Sequence, residues 1–552
     1  MYPDAIYVGN FKAFGPEQRI PIRPITLIYG PNSAGKSSIL HAFAMLSKFG
    51  STGVTNTKEI SLTGNTIRIG YFEDYLHASS NDQKITFGWE SIRSSNLTIA
   101  QKITIARLPS SKTRIKTEDE DGFVVHGNCK IMSWQLEENG KKVFQVSYNP
   151  KKYKHTIDPK SELIKRSLAL AKVELIKALD EYLENDTSNS KRKDVISHIK
   201  NIISELQHGN ILKEIEKEYR DLINKCKVSH ESDGLEFQFS LPENENICNF
   251  NWGYWNNYRS TEVTLDIEFP VDLGSYIRSQ IVKKGAQASL EILQAFIHTC
   301  RPRCDFNQTV YFGKFRQSIG LDEIFTSKQL LETKGPHDSV YAKGWCFGET
   351  GISNLNEWLK QSNRPDLDYE LRLHDFLPDV DDNETNTKYY SIRLFENKRG
   401  CNVPFDSVGS GIGQIFPVLV AAFNDLHTCI IVEQPELHLH PALQSEIADA
   451  FVICSLGTDG RLGPDYPFFN RFVLETHSEH ILLRLMRRIR ETTNGSLPSH
   501  IPKLTPQDVA VLYVEPRGSH SVVRELRLND QGELIDDWPG GFFEEGLREL
   551  LM

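Results

Sequence analysis

The chain has 552 residues, too many for one ordinary core; at about 150 residues per domain it divides into roughly three or four. Lys and Arg total 63 against 73 Asp and Glu, a net charge of −10, which argues against a DNA sheath while leaving local basic patches open. With 39% hydrophobic and 25% charged residues it has the composition of a folded globular protein, not a disordered one.

Apolar runs such as 418–423 are too short to span a bilayer, and the N-terminal MYPDAIYVGNFKAF has neither the basic nor the apolar region of a secretory leader. Nine scattered cysteines give no disulfide framework and suit a reducing compartment, and Cys300 and Cys304 form an isolated CxxxC without a second ligand pair. A cytoplasmic protein without a membrane partner is expected.

In chain order, the first informative element is a β-prone run, Ile25–Tyr29, that leads into Gly30-Pro31-Asn32-Ser33-Ala34-Gly35-Lys36-Ser37-Ser38. A helical pattern follows, with Ile39, Leu40, Phe43 and Leu46 on one side. This is G-x-x-x-x-G-K-[ST] in the strand–loop–helix setting that a phosphate loop requires. Gly30 and Gly35 permit backbone conformations that aim successive N–H groups at phosphate oxygens, and the helix N-terminus adds its positive dipole end. Lys36 is placed for the β- and γ-phosphates and Ser37 for Mg²⁺, so ATP and Mg²⁺ are the expected ligands.

Residues 161–228 have few Gly or Pro and helical periodicity: Ile164, Leu168, Ala171, Leu175, Ala178 and Tyr182, then Val195, Ile199, Ile202 and Leu206 beyond a polar break. Two such seams read as an antiparallel hairpin, each arm of roughly 22 residues reaching about 33 Å, either as a protruding arm or as a lid on the head. Its tip, 184–190, has no Cys, which excludes a zinc hook. Residues 230–390 mix aromatics (Trp252, Tyr254, Trp255, Tyr258) with a modest basic patch (Arg301, Arg303, Lys314, Arg316) and read as a second lobe. Asp366-Leu-Asp368 spells DxD by chance.

Asp406-Ser-Val-Gly-Ser-Gly-Ile-Gly-Gln414 is a Gly/Ser-rich turn that opens an apolar helix. In Thr428-Cys-Ile-Ile-Val-Glu-Gln-Pro-Glu-Leu-His-Leu-His-Pro441, residues 429–432 read as a core strand with Glu433 at its end, where ligands collect in α/β sheets. Arg471-Phe-Val-Leu-Glu-Thr-His-Ser478 is another short strand. The 75 residues after His477 read as strand, turn, strand and a short helix at 543–551.

The order of P-loop, Ser/Gly-rich signature, acidic strand with Pro-Glu-x-His-x-His-Pro, then Thr-His-Ser resembles the ATP-binding-cassette heads of the SMC and RecF group. More narrowly, it resembles a bacterial subgroup with "EQPELHLHP" and "ETHSEH" motifs, which includes stand-alone ATPases and the PtuA subunits of Septu and retron-associated antiviral systems. The match covers about the first 45 residues and roughly 400–515; Val310-Tyr-Phe-Gly-Lys-Phe-Arg316 and Trp538-Pro-Gly-Gly-Phe-Phe543 are looser likenesses.

The resemblance implies an α/β fold, an ABC/SMC-like P-loop ATPase head carrying the helical, coiled-coil-like hairpin and a mixed α+β middle lobe. The expected parts are 1–155 and 391–552 for the head, 156–229 for the hairpin and 230–390 for the lobe. It also implies two ATPs sandwiched between two heads, in a homodimer or higher homo-oligomer. Ser410 and Gly411 would cap the γ-phosphate in trans, with the register among Gly409, Gly411 and Gly413 open, and His477 would sense that phosphate. Glu433 would hold Mg²⁺. Related heads place a second carboxylate next, as general base, where this chain has Gln434. An amide can orient water but not take its proton. Either Glu436 or an imidazole is then the base, or hydrolysis is slow and ATP acts as a clamp.

No nuclease signature is present, so the resemblance points to a switch subunit of an antiviral complex with an HNH-type nuclease partner. A retron reverse transcriptase and its DNA–RNA product are candidate further partners. The alternatives are a RecF- or SMC-like DNA-repair ATPase that binds DNA itself and a solitary ATPase.

Overall fold

The computed structural model describes residues 3–52, 59–62, 65–70, 72–78, 83–94, 97–107, 114–115, 124–125, 129–149, 152–157, 161, 227–231, 234–240, 247–251, 309–314, 325–326, 349–362, 368–376, 389–403, 408–424, 428–457 and 469–539. The expected helical hairpin, the aromatic group at 252–258 and the Cys300/Cys304 pair lie outside the described residues. The chain forms two compact units, Met1–Lys48 with Asn56–Phe87 and Asp305–Met552, and Phe49–Thr55 with Gly88–Cys304.

The first unit is built on a six-stranded sheet. Its strands, with their neighbours in this unit, are β1 (Ala5–Gly9), β2 (Gln18–Pro21), β3 (Ile25–Tyr29), β4 (Thr309–Phe312), β5 (Tyr369–Phe376), β6 (Tyr389–Glu396), β7 (Cys429–Glu433), β8 (Arg471–Glu475), β9 (Val509–Arg517) and β10 (His520–Leu526). The helices are α1 (Lys36–Thr52), α2 (Glu349–Ser362), α3 (Ser410–Asn424), α4 (Pro441–Leu456) and α5 (Glu479–Asn494).

The central order is β4-β7-β8-β3-β9-β10, parallel except for β10, which returns antiparallel beside β9. A parallel sheet covered on both faces needs strands that are apolar throughout, not alternating. The sequence supplies them: every residue of ITLIY in β3, TVYF in β4 and CIIVE in β7 is buried.

The helices repeat that logic at their surfaces. Eleven of the residues in α3, from Gly411 to Phe423, are buried, whereas α5 buries one stripe of Ile481, Leu482, Leu485, Arg488 and Ile489. The helix α4 begins with Pro441, and the His440 side chain caps it by accepting from the Ala442 N–H. Ser478 caps α5 by accepting from Ile481 N–H, and Gly495, at φ 69°, ends it in the left-handed conformation glycine adopts without strain. A buried ion cluster joins the two helices: Arg488 donates to both oxygens of Asp449 at 2.8 and 2.7 Å, and Arg484 donates to Asp449 at 2.6 Å and Glu446 at 3.0 Å.

The second unit is described through its strands. Leu97–Arg107, Cys129–Glu138, Lys141–Asn149 and Lys152–Ile157 form an antiparallel succession. Lys227–Glu231, Gly234–Ser240 and Ile247–Asn251 form a separate three-stranded sheet. Among the described residues, no helix is long and apolar enough to cross a membrane.

Candidate functional site

The expected phosphate loop leaves the C-terminal end of β3 and closes on the first residue of α1. Its backbone passes through the left-handed half of conformational space at Gly30 (φ 143°), Ser33 (63°) and Gly35 (96°). A Cβ on Gly30 would lie 2.3 Å from the Val514 carbonyl oxygen, and one on Gly35 would lie 2.4 Å from the Ala13 Cβ. Both positions therefore exclude a side chain on space as well as on torsion. Lys36 folds back over this cradle and donates to the Gly30 and Pro31 carbonyls at 3.1 and 3.0 Å. Its residue is only 5% exposed. Burial lowers the ammonium pKa, opposed by the nearby Glu475 carboxylate. A glycine turn at a helix N-terminus beside a half-desolvated ammonium is a setting that a phosphate group completes.

The other side of the site comes from two strand ends. In the parallel register Glu433 of β7 faces Glu475 of β8, so the two carboxylates leave neighbouring strands side by side. They are 8% and 2% exposed. Tyr311 of β4 donates its hydroxyl to Glu433, and Ser37 of the phosphate loop donates its hydroxyl to Glu475 at 2.7 Å. β8 lies between the strands of Glu433 and of the phosphate loop. That is why Ser37 reaches Glu475, where the motif reading had set Glu433 opposite it.

The turn after β7 is tightly specified. Gln434 has φ 47° and donates its N–H to the Glu475 carbonyl at 2.7 Å, while its own carbonyl accepts from Leu437 N–H. His438 is also left-handed, at φ 62°. Such conformations cost on the order of 1–2 kcal/mol for non-glycine residues and collect where structure holds them for function.

Glu436 accepts from the Thr476 hydroxyl and from the His477 backbone N–H, both at 2.7 Å. Its two oxygens tie the turn after β7 to the loop after β8.

His477 is half-buried, and its imidazole pKa is lowered, first by desolvation and then by the Lys36 charge. At neutral pH it is therefore an uncharged hydrogen-bonding group. Its loop is pinned further by Ser478, whose hydroxyl donates to Gln444 at 2.6 Å and whose carbonyl accepts from the Tyr29 hydroxyl at 2.8 Å. Trp538, from the loosely matched C-terminal motif, packs edge-on against Tyr29 at 5.1 Å. Lys314, just past β4, contributes positive charge at both Lys36 and His477.

Of the two signature residues, Ser410 is exposed at the first position of α3, beside exposed Gly409. Gly411 is buried, and a Cβ there would meet the His438 carbonyl oxygen at 2.4 Å. The exposed residues of this run are Gly409 and Ser410, and Gly411 packs within its own chain. Asp368 of the chance DxD accepts from Asn397 across an exposed turn.

Sequence reasoning missed Glu475. The signal was present, a carboxylate closing the apolar run Arg471–Glu475, but the adjacent Thr476-His477 drew the assignment. Among the described residues no cluster of three or more His, Cys, Asp or Glu forms a self-sufficient metal site. The Ser37 hydroxyl bonded to Glu475, with Glu433 at the adjacent strand end, is a donor set that fits Mg²⁺, which is held largely by phosphates and one or two protein carboxylates.

Three family models match separate stretches of the chain. They are "AAA domain" over residues 5–227, "AAA domain, putative AbiEii toxin, Type IV TA system" over 326–483, and "Protein of unknown function (DUF3696)" over 504–552. The phosphate loop falls in the first match, and Glu433, Glu436, Glu475 and His477 fall in the second. Each match covers less than half of the chain, and the two AAA matches take in the glycine loop and the strand-end carboxylates of the strand–loop–helix site.

Among solved structures the chain is similar to an SmcHead bound to the C-winged helix domain of ScpA, at 12% identity over 96% of this chain and 99% of that one, TM-score 0.36. An Smc head with an extended coiled coil, bound to the C-terminal domain of ScpA derived from Pyrococcus furiosus, matches at 12% over 100% and 98%, TM-score 0.34. The SMC head domain from Thermotoga maritima matches at 9% over 96% and 100%, TM-score 0.32. At these scores nothing is transferred from them to this chain. No curated protein matches significantly.

Proposed function

We propose that the chain is an ATP-binding, slowly hydrolysing switch subunit of a prokaryotic antiviral complex, dimerising through its heads on ATP and controlling an HNH-type nuclease. The observation that carries the nucleotide part is the convergence of the glycine loop, Lys36, Ser37, Glu433, Glu475 and His477 at the ends of three adjacent parallel strands. Support for the defence part is the resemblance of the EQPELHLHP and ETHSEH segments, together with the second AAA match, whose description names an abortive-infection-type toxin.

In this reading the loop N–H groups and Lys36 bind the β- and γ-phosphates, with Lys314 adding charge from the side. Ser37 and Glu433 would hold Mg²⁺, which when bound neutralises the phosphate oxygens. Gln434 orients the attacking water without accepting its proton, so turnover is slow and the ATP-bound state persists. His477, uncharged, hydrogen-bonds the γ-phosphate, and Glu436 makes its loop move with the turn after β7. Ser410 of a second head would close the site from the far side.

The test is light scattering on the purified chain with and without ATP, followed by capture of its co-expressed neighbours. An ATP-dependent dimer that retains a nuclease supports the whole reading. A monomer in both states removes the sandwich. A dimer that binds DNA with steep salt dependence and retains no nuclease favours the repair alternative.

A further inference from the structure

The contact between Ser37 and Glu475 joins residues far apart in the chain and belongs to neither motif as usually read. Three observations converge on it. Glu475 is 2% exposed, yet it sits at the end of a core strand where no apolar neighbour requires a carboxylate. Its register partner across β7 is Glu433, so two acidic side chains leave the same face of the sheet. Its bonded partner is the one hydroxyl of the phosphate loop whose position suits a metal. Two carboxylates brought this close in a buried place repel each other unless a cation lies between or beside them. Lys36 and Lys314 supply positive charge nearby, the Lys36 ammonium donating hydrogen bonds to the Gly30 and Pro31 carbonyls.

We infer that Glu475 is the positioning carboxylate of the magnesium site, holding the Ser37 hydroxyl with its lone pair turned toward the ion and sharing the ion's charge with Glu433. The inference rests on the nucleotide reading above. It differs in placing the decisive carboxylate on the strand beside the phosphate loop and not on the strand beyond it. Ser37 keeps its proton and directs it at Glu475 as a hydrogen-bond donor, so an oxygen lone pair is free for the metal. Glu433, held by Tyr311, is the second acidic group at the ion. No proton is transferred and no bond is broken in this role.

The experiment is calorimetric binding of ATP to the full chain at a series of Mg²⁺ concentrations, including none, for wild type, Glu475→Gln, Ser37→Ala and the double variant. Outer partners of metal ligands are worth about 10–100-fold in metal affinity. Glu475→Gln is therefore expected to raise the half-saturating Mg²⁺ by about tenfold or more. Metal-free ATP affinity should hold or tighten, because a negative charge beside Lys36 is gone. A merely destabilised variant would lose both. Ser37→Ala should have a similar effect, and the double variant should be no worse than the worse single, since the two act as one unit.

If Glu475→Gln fails to fold, Glu475→Asp takes its place, with an intermediate rise in half-saturating Mg²⁺ expected. An unchanged Mg²⁺ dependence in the Glu475 variants, or additive effects with Ser37→Ala, overturns the assignment. Wild type that binds no ATP at any Mg²⁺ concentration overturns the nucleotide reading itself, which is a distinct result.

Discussion

Replacing Glu436 by Ala separates a clamp from a base. Glu436 makes two hydrogen bonds of 2.7 Å, to the Thr476 hydroxyl and the His477 N–H. Hydrogen bonds to a charged group contribute about 1.5–3 kcal/mol each, so the pair is worth about 3–6 kcal/mol at most. The residue is half-buried, so water recovers part of that, and a net loss of about 2–3 kcal/mol is expected. For a unit of roughly 330 residues, an unfolding entropy of about 2.1 cal/mol/K per residue makes 1 kcal/mol worth about 1.5 °C, which puts the shift at about 3–4 °C by calorimetry.

The same loss is expected in binding, because the loop that carries His477 must be re-ordered each time a γ-phosphate is engaged. ATP affinity should fall about 30-fold or more while ADP affinity changes little, about 2 kcal/mol being a factor of roughly 30. A residue that acted only as proton acceptor would behave differently. Its removal would lower kcat and leave both Tm and ATP affinity untouched, and that result would refute the clamp.

Gln434→Glu is expected to accelerate steady-state hydrolysis by restoring a proton acceptor beside Glu433; an unchanged or slower rate in a phosphate-release assay would show that the amide itself is needed to position water. Asp449→Ala strips the carboxylate from Arg484 and Arg488 at the α4–α5 contact and should cost about 3–5 kcal/mol in denaturant unfolding, while a loss below about 1 kcal/mol would show that solvent replaces it readily. His41 has its pKa lowered to about 3, by burial first and by the Lys12 ammonium that donates to its Nδ1 at 2.6 Å. The unfolded chain therefore binds that proton more readily between about 3 and the unfolded value near 6.5, so the stability is fully present above 6.5 and is lost as pH falls. At pH 5 the loss is about 2 kcal/mol, and His41→Gln should flatten that part of the stability profile.

Local signals carried much of this architecture. The strand Ile25–Tyr29, the glycine loop and the helix from Lys36 follow one another in sequence, and each constrains the next through torsion and periodicity. The same holds for Cys429–Glu433 and for the apolar helix that opens at Ser410. What pattern could not supply was which strand lies beside which. The pairing of Ser37 with Glu475, and of Tyr311 with Glu433, depends on β8 entering between β7 and β3 and on β4 flanking β7.

The contacts of Glu436 were hidden for a related reason. A carboxylate three residues beyond a strand end has the spelling of a base, and only the fold shows that the His477 loop already occupies both its oxygens. Gly411 shows the converse: its place in a signature-like run is legible, but not that the backbone of His438 fills the space a Cβ would take there. The antiparallel strands of the second unit alternate only partly between apolar and polar residues, so no periodic signal announced them.

The central claim is that the loop at residues 30–38 is a nucleotide site whose phosphate contact is Lys36. Titration calorimetry of ATP into the wild-type chain and into Lys36→Ala, with Mg²⁺ present and with folding checked by circular dichroism, tests it most directly. Wild type should bind one ATP per head, and Lys36→Ala, still folded, should lose that binding by at least about 100-fold, as expected when the cation of a desolvated charge pair is removed. Equal affinity in the two proteins would contradict the site.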